Sequence, residues 1–242
     1  MKKTALITGA SGGIGSAAAV ALADEGFRIA LCCNSNEKAV RSLASKLNRV
    51  TDTVVCKVDV SDRDEVSAAF ETAAEEFGGV SVLVNCAGIS QQKLFTDITE
   101  EDFDRMMAVN LKGVFNCCQA ALPFMIKNKR GKIINVSSMW GVSGASCEVH
   151  YSASKAAVIG LTKALAREVA PSNIQVNCIA PGVIDTKMNA CFSDEDLKAI
   201  KEEIPLGRFG RPEEVAALIA FLASESSDYI TAQVIGIDGA FI

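Results

Sequence analysis

Seven short runs rich in valine, isoleucine and other apolar residues punctuate the chain: Thr4 to Thr8, Arg28 to Cys33, Thr53 to Val58, Val80 to Asn85, Lys132 to Val136, Ile174 to Ile179 and Val234 to Ile237. Between them lie longer segments whose apolar residues recur every three or four positions, the period of a helix with one face buried. Runs such as Val82-Leu83-Val84 and Ile133-Ile134 have no polar alternate positions. Both faces of those strands must therefore be covered, and helical crossovers between parallel strands supply the cover. The pattern predicts an α/β protein with a doubly wound, seven-stranded parallel sheet. At ~150 residues per domain the length alone allows one domain or two. No Pro/Gly/Ser-rich linker, low-complexity tract or block of like charges divides residues 1–242, so one domain is expected. In such sheets ligands bind beyond the carboxyl ends of the strands, which is where the chemistry should be sought.

Charge and cysteine usage narrow the function classes. Lys and Arg number 24 against 29 Asp and Glu, a formal charge of -5, so the basic excess that nucleic-acid phosphates demand is missing. The nine cysteines are odd in number and form no Cys-x-x-Cys, and His150 is the single histidine, which argues for reduced thiols and against a metal site. Met1-Lys2-Lys3 with Ala21-Leu22-Ala23 imitates an export signal, but Thr8, Ser11 and four glycines interrupt the apolar region. Apolar stretches such as Ala216 to Ala223 fall short of the ~20 residues that span a bilayer. A cytoplasmic protein without membrane or nucleic-acid partners is expected.

The first strand runs into Gly9-Ala10-Ser11-Gly12-Gly13-Ile14-Gly15, and Ala17 to Ala23 then read as a helix. Glycines let the backbone turn sharply and approach a diphosphate closely, while the free N–H groups and positive dipole end of the helix face the anion. Gly9, Ser11, Gly12, Gly13, Ile14 and Gly15 are thus candidate cofactor-binding residues. Gly13-x-Gly15-x-x-Ala18 fits the common dinucleotide expression but starts four residues later than the strand end requires. Thr-Gly-x3-Gly-x-Gly is the better parse.

Tyr151 and Lys155 stand four apart on a predicted helix, Tyr151 to Val169, with their Cβ atoms ~5 to 6 Å apart on one face. A phenol with a reference pKa of ~10 is a weak acid-base catalyst at neutrality, and a nearby ammonium is expected to depress it, each unit being worth ~1.4 kcal/mol. Ser138, beside Ser137, follows the fifth strand thirteen residues before Tyr151.

Five motifs occur in order: Thr8 to Gly15, Asp59-Val60, Asn85-Cys86-Ala87-Gly88, Tyr151-x3-Lys155 and Pro181-Gly182-x3-Thr186. With them the chain resembles the short-chain dehydrogenase/reductase family over essentially its whole length, most closely its 3-oxoacyl-acyl-carrier-protein reductases. The resemblance implies a Rossmann fold and an NAD(P)-dependent oxidoreductase. It implies that Asp59, with Val60, binds the adenine, that Asn85, Ala87 and Gly88 line the cofactor, and that Pro181, Gly182, Ile184 and Thr186 hold the nicotinamide end. It further implies a catalytic set of Asn110, Ser138, Tyr151 and Lys155. In that set Ser138 orients the substrate carbonyl, Tyr151 gives it a proton, Lys155 also binds the nicotinamide ribose, and Asn110 holds a water leading to the lysine.

The cofactor reading is NADP(H) in preference to NAD(H). Cys33-Asn34-Ser35-Asn36 offers no carboxylate to select a ribose 2′-hydroxyl, leaving Asn34 and Ser35, with Lys38 or Arg41, to meet a phosphate. Gly12, however, stands where many NADP-preferring relatives carry a base. A 3-oxoacyl thioester of acyl carrier protein or coenzyme A is the expected substrate. A steroid, a sugar or another ketone is the alternative, and a catalytically silent NADP-binding sensor the competing class. The basic run Lys127 to Lys132 offers an acidic carrier protein a patch. Ser172, where carrier-protein reductases often have arginine, and Cys86, where they have a second asparagine, depart from the pattern. Residues 185–205 are expected to form a substrate lid. The segments Phe103 to Phe124 and Tyr151 to Val169 carry apolar residues on more than one face, which suits a homotetramer, common among relatives. Pro123 is expected to bend or end the first of these helices. His150 is given no role.

Overall fold

A computed structural model describes residues 3–191 and 193–242. The seven strands are β1 (Thr4–Thr8), β2 (Arg28–Cys33), β3 (Thr53–Lys57), β4 (Val82–Asn85), β5 (Gly131–Val136), β6 (Ile174–Pro181) and β7 (Val234–Ile237). They form one parallel sheet in the order β3-β2-β1-β4-β5-β6-β7. Alternate residues of each strand feed two cores. Leu6, Ala30, Cys32, Leu83 and Ile133 face α3 (Arg63–Phe77), α5 (Gly113–Lys127) and α7 (Val149–Val169). Ala5, Ile7, Ile29, Leu31, Val84 and Ile134 face α1 (Gly13–Asp24), α2 (Glu37–Leu47) and α9 (Pro212–Ala223). This two-sided burial is why the strands read as unbroken apolar runs.

Two details differ from the sequence expectation. The segment Phe103 to Phe124 is not one helix: α4 (Glu100–Met107) passes through a π-turn, Ala108–Lys112, into α5. Pro123 does not end α5, which continues to Lys127. Pro123 and Gln119, whose carbonyl loses its helical donor, lie on the exposed face, so solvent replaces the missing bond. The short helix α6 (Met139–Ser143) follows β5, and α8 (Asp194–Glu203) lies in the 185–205 segment after a 3-10 turn, Lys187–Cys191. Among the described residues no helix is long and apolar enough to cross a membrane and no group of residues is arranged to hold a metal ion. Cys32, Cys33, Cys56, Cys86, Cys117, Cys118, Cys147 and Cys178 are free thiols.

Candidate active site

β1 and β4 are neighbours in the sheet, and the chain departs from them in opposite directions, which opens a crevice at their carboxyl ends. The two loops that line it are tied together. The Thr8 hydroxyl accepts the N–H groups of Cys86 and Ala87, each at 3.1 Å. Gly9, at φ 67°, passes so close that a β-carbon there would lie 2.8 Å from the Ala87 α-carbon. Gly12 caps α1 with no side-chain hydrogen bond to its first amides and no acidic residue in the first turn. Across this mouth, a β-carbon on Gly13 would meet the Thr186 methyl at 2.6 Å. Uncapped donors, an unopposed helix dipole and an absence of side chains fit a dinucleotide diphosphate. A β-carbon on Gly15 would collide with the Gly9 carbonyl oxygen. Gly15→Ala is therefore expected to weaken NADPH binding at least about tenfold, a loss of ~1.4 kcal/mol, as read by fluorescence titration. Unchanged affinity would mean the loop is not the cradle.

Farther along the crevice, Asn34 and Ser35 are exposed after β2. The Asn34 amide donates to Asp59 at 3.0 Å, Ser61 donates to the same carboxylate through its N–H and hydroxyl, and Arg105 of α4 reaches it at 3.5 Å. Arg105 was not legible in the sequence, because nothing in a helix-period segment marks the residue that packs against a distant strand end. Of the two expected phosphate partners, Arg41 is committed to Glu37 at 2.7 Å while Lys38 is exposed. Val60 is buried, and its carbonyl accepts the Asn116 amide. Asn85 does not turn its side chain to the crevice. Its amide donates to Asn135 at 2.8 Å and through that residue ties β4 and β5 to Thr162 of α7.

The candidate catalytic residues gather beyond β4 and β5. Ser138 caps α6 by accepting the Trp140 N–H at 3.1 Å, and its hydroxyl also hydrogen-bonds the Tyr151 phenol. Ser137 acts on the backbone instead, donating to the Lys155 carbonyl at 2.8 Å and so fixing α7 against the end of β5. Lys155 is buried, with its ammonium donating to the Val136 carbonyl at 3.0 Å and lying 5.8 Å from the Tyr151 ring centre. The π-turn brings Asn110, fully buried, to clamp the loop after β4. Its oxygen accepts the Ile89 N–H at 2.8 Å and its amide donates to the Ile89 carbonyl at 2.9 Å and to Ser154 at 3.0 Å. A β-carbon on Gly88 would stand 3.2 Å from the lysine nitrogen and 3.3 Å from the Asn110 oxygen, so Asn110, Lys155 and the crevice meet at that glycine.

The expected depression of the phenol is not found. Burial pushes Tyr151 up to about 12, the Ser138 hydrogen bond opposes this, and the Glu148 carboxylate adds to it. Burial likewise pulls Lys155 below its ordinary value. Desolvation sets the direction for both groups, and the phenol is held protonated. Cys86, pushed up to about 11 by burial, is an unreactive thiol.

Pro181 pairs with Ile237, and Gly182 fits only as glycine because a β-carbon would lie 2.7 Å from the Asp238 α-carbon. Ile184 is buried and bridges to Gly210, while its carbonyl accepts the Asn189 amide at 2.8 Å. This line carries Thr186 to the glycine loop. The supposed basic patch is smaller than its sequence suggests. Lys132 is buried and paired with Asp228 at 2.7 Å, and Arg130 pairs with Glu225 at 2.7 Å, leaving Lys127 and Lys129 exposed. The turn also lies at the amino end of β5, opposite Ser138 and Tyr151.

Comparison with known proteins agrees with this arrangement. The family described as Enoyl-(Acyl carrier protein) reductase matches residues 9–241. The 3-oxoacyl-[acyl-carrier-protein] reductase FabG of Thermotoga maritima is 44% identical over 241 residues, covering 99% of this chain and 98% of that one. The chain belongs to the short-chain dehydrogenase/reductase family. Another relative, the Staphylococcus aureus 3-oxoacyl-[acyl-carrier-protein] reductase FabG, is 43% identical over 99% of this chain and 98% of its own. The crystal structure of a short-chain type dehydrogenase/reductase from Mycobacterium marinum superposes with a TM-score of 0.93 at 38% identity, over 99% of this chain and 95% of that one.

Proposed function

We propose that the protein is an NADPH-dependent reductase of 3-oxoacyl thioesters, carried by acyl carrier protein or coenzyme A, and that it forms the 3-hydroxyacyl product. The observation that carries this reading is the buried Ser138–Tyr151–Lys155 line at the carboxyl end of β5, opening on the glycine cradle. A reduced nicotinamide bound in the crevice supplies a hydride to the carbonyl carbon. Ser138 donates to the carbonyl oxygen as charge develops there, and Tyr151, kept protonated by its burial, delivers the proton. Lys155 holds the ribose and stabilises the phenolate left behind. Asn110 keeps the Ile89 loop and the lysine in register, so that a proton can be returned to Tyr151. Gly9, Ser11, Gly12, Gly13, Ile14 and Gly15 take the diphosphate. Asp59 and Val60 take the adenine, the backbone at Asn85, Ala87 and Gly88 lines the dinucleotide, and Pro181, Gly182, Ile184 and Thr186 flank its nicotinamide. The lid over the substrate is the segment 185–205, part of which, Phe192, lies outside the described residues.

With no carboxylate at Asn34 or Ser35, and with Lys38 and Arg105 near that end, NADPH is the preferred cofactor. The expected ratio of kcat/KM for NADPH over NADH is at least about tenfold, and a ratio below one would overturn the assignment. Acetoacetyl and crotonyl thioesters, each on carrier protein and on coenzyme A, test the substrate. Oxidation of NADPH with the acetoacetyl pair supports carbonyl reduction, and turnover confined to the crotonyl pair would make the chain an enoyl reductase instead. We place the enzyme in the cytoplasm as a homotetramer, a reading supported by the exposed Phe103 and Phe115 on the α4–α5 side.

A further inference from the structure

Glu148 stands one helical turn before Tyr151, at the residue preceding α7, where its carbonyl accepts the Ser152 N–H at 2.8 Å. Its side chain is half-buried between the loop after β4, from which the Gln92 amide hydrogen-bonds it, and the loop leading into α7. The same two loops are joined by the Lys93 N–H donating to the Cys147 carbonyl at 2.7 Å, in a turn where Cys147 holds φ 60°. The carboxylate is near enough to the phenol to act on its ionisation. The neighbouring charges are already spent on one another. Lys93 pairs with Asp102 at 2.6 Å, and Gln91 bridges Asp102 to the buried His150. Among the described residues no lysine, arginine or histidine forms an ion pair with Glu148, so the Gln92 hydrogen bond supports a half-buried charge that no cation balances.

A half-buried anion with no cation paired to it favours a substrate that brings one. We propose that Glu148 is a specificity-determining residue and that the site also reduces ketones bearing a cationic alkylammonium group, which pairs with this carboxylate while the carbonyl oxygen rests on Ser138 and Tyr151. The proposal rests on the carbonyl-reductase reading above and extends it from uncharged acyl thioesters to amino ketones. The balance is that of any carbonyl reduction. The carbonyl carbon gains a hydride from the reduced dinucleotide, which leaves oxidised, the C=O π electrons become the third lone pair of the alkoxide oxygen, and Tyr151 protonates it. The ammonium passes through unchanged, and the product is an amino alcohol. Keto acids, whose carboxylate meets the same anion, are disfavoured.

The test uses a matched pair of methyl ketones, one carrying a trimethylammonium group and the other its uncharged tert-butyl isostere, with an acetoacetyl thioester as a third substrate. The native enzyme is expected to favour the cationic ketone about tenfold in kcat/KM, as a partly desolvated charge pair allows. Glu148→Gln is expected to bring that ratio near one, Glu148→Asp to retain part of it, and Glu148→Lys to invert it. Because the readout is a ratio within each variant, a general loss of activity does not move it. A ratio of one in the native enzyme, or one that Glu148→Gln leaves intact, overturns the proposal while thioester turnover leaves the reductase reading standing. No turnover of any of the three sinks both.

Discussion

Tyr151→Phe is expected to lower kcat by about a thousandfold, within the range attributed to a positioned proton donor, while NADPH affinity stays within about twofold of the native value. The substitution removes one oxygen from a ring whose position is otherwise set by packing, since Tyr151 is buried on α7. What disappears is the acid that Ser138 orients. The Ser138 hydroxyl would still reach the carbonyl oxygen, and the cradle at Gly9 to Gly15, which does not touch the phenol, would still hold the dinucleotide. The loss should therefore fall on kcat rather than on cofactor binding, which separates a proton-donor role from a structural one. Single-turnover kinetics with a saturating 3-oxoacyl thioester, beside a fluorescence titration with NADPH, measure the two quantities. A variant that turns over at native speed would remove Tyr151 from the reaction.

The sheet was readable because its strands are buried on both faces, and such strands leave continuous apolar runs whose shortness and valine and isoleucine content set them apart from buried helix segments. The predicted and observed limits of β1, β2 and β7 coincide, and β3 ends one residue early, at Lys57 rather than Val58. β4 starts two residues late: Ser81 hydrogen-bonds Thr4 and Lys132 on the neighbouring strands, but the paired register begins at Val82. The candidate site was legible for a different reason: glycines at fixed offsets and a Tyr/Lys pair one helical turn apart are local patterns. Features created by packing between distant segments were not. The π-turn that buries Asn110 adds a residue to one turn without disturbing the apolar period around it. Arg105 meets Asp59 across forty-six positions of sequence. Lys132 looked like a member of an exposed basic run until β5, beginning at Gly131, drew it into the sheet and onto Asp228. The downward pull that a lysine exerts on a neighbouring phenol was sound as electrostatics, but burial, invisible in a four-residue spacing, decides the direction here.

That burial also sets the outcome for Lys155→Met. Lys155 is buried, its hydrogen bond is to a neutral carbonyl, and among the described residues no carboxylate pairs with it. A folded state that lowers a lysine's pKa opposes its protonation. At any pH below the lowered value the ammonium is present and costs stability, a cost relieved as pH rises through that value. Methionine fills a similar volume without a charge, and the one carbonyl left unpaired, at Val136, costs only ~1 kcal/mol. The substitution is therefore expected to raise the melting temperature of the cofactor-free protein by about 2–4 °C, the shift that ~1 kcal/mol produces in a chain of this size. The same change should lower kcat/KM by three orders of magnitude or so and, unlike Tyr151→Phe, erase most of the stabilisation that added NADPH confers. Thermal unfolding with and without NADPH, alongside initial rates, reads all three. A fall in the cofactor-free melting temperature would mean that the ammonium serves the fold rather than the reaction. A rise accompanied by lost binding and lost turnover would mean that the protein keeps an unfavourable charge in its interior because the dinucleotide and the phenolate need it there.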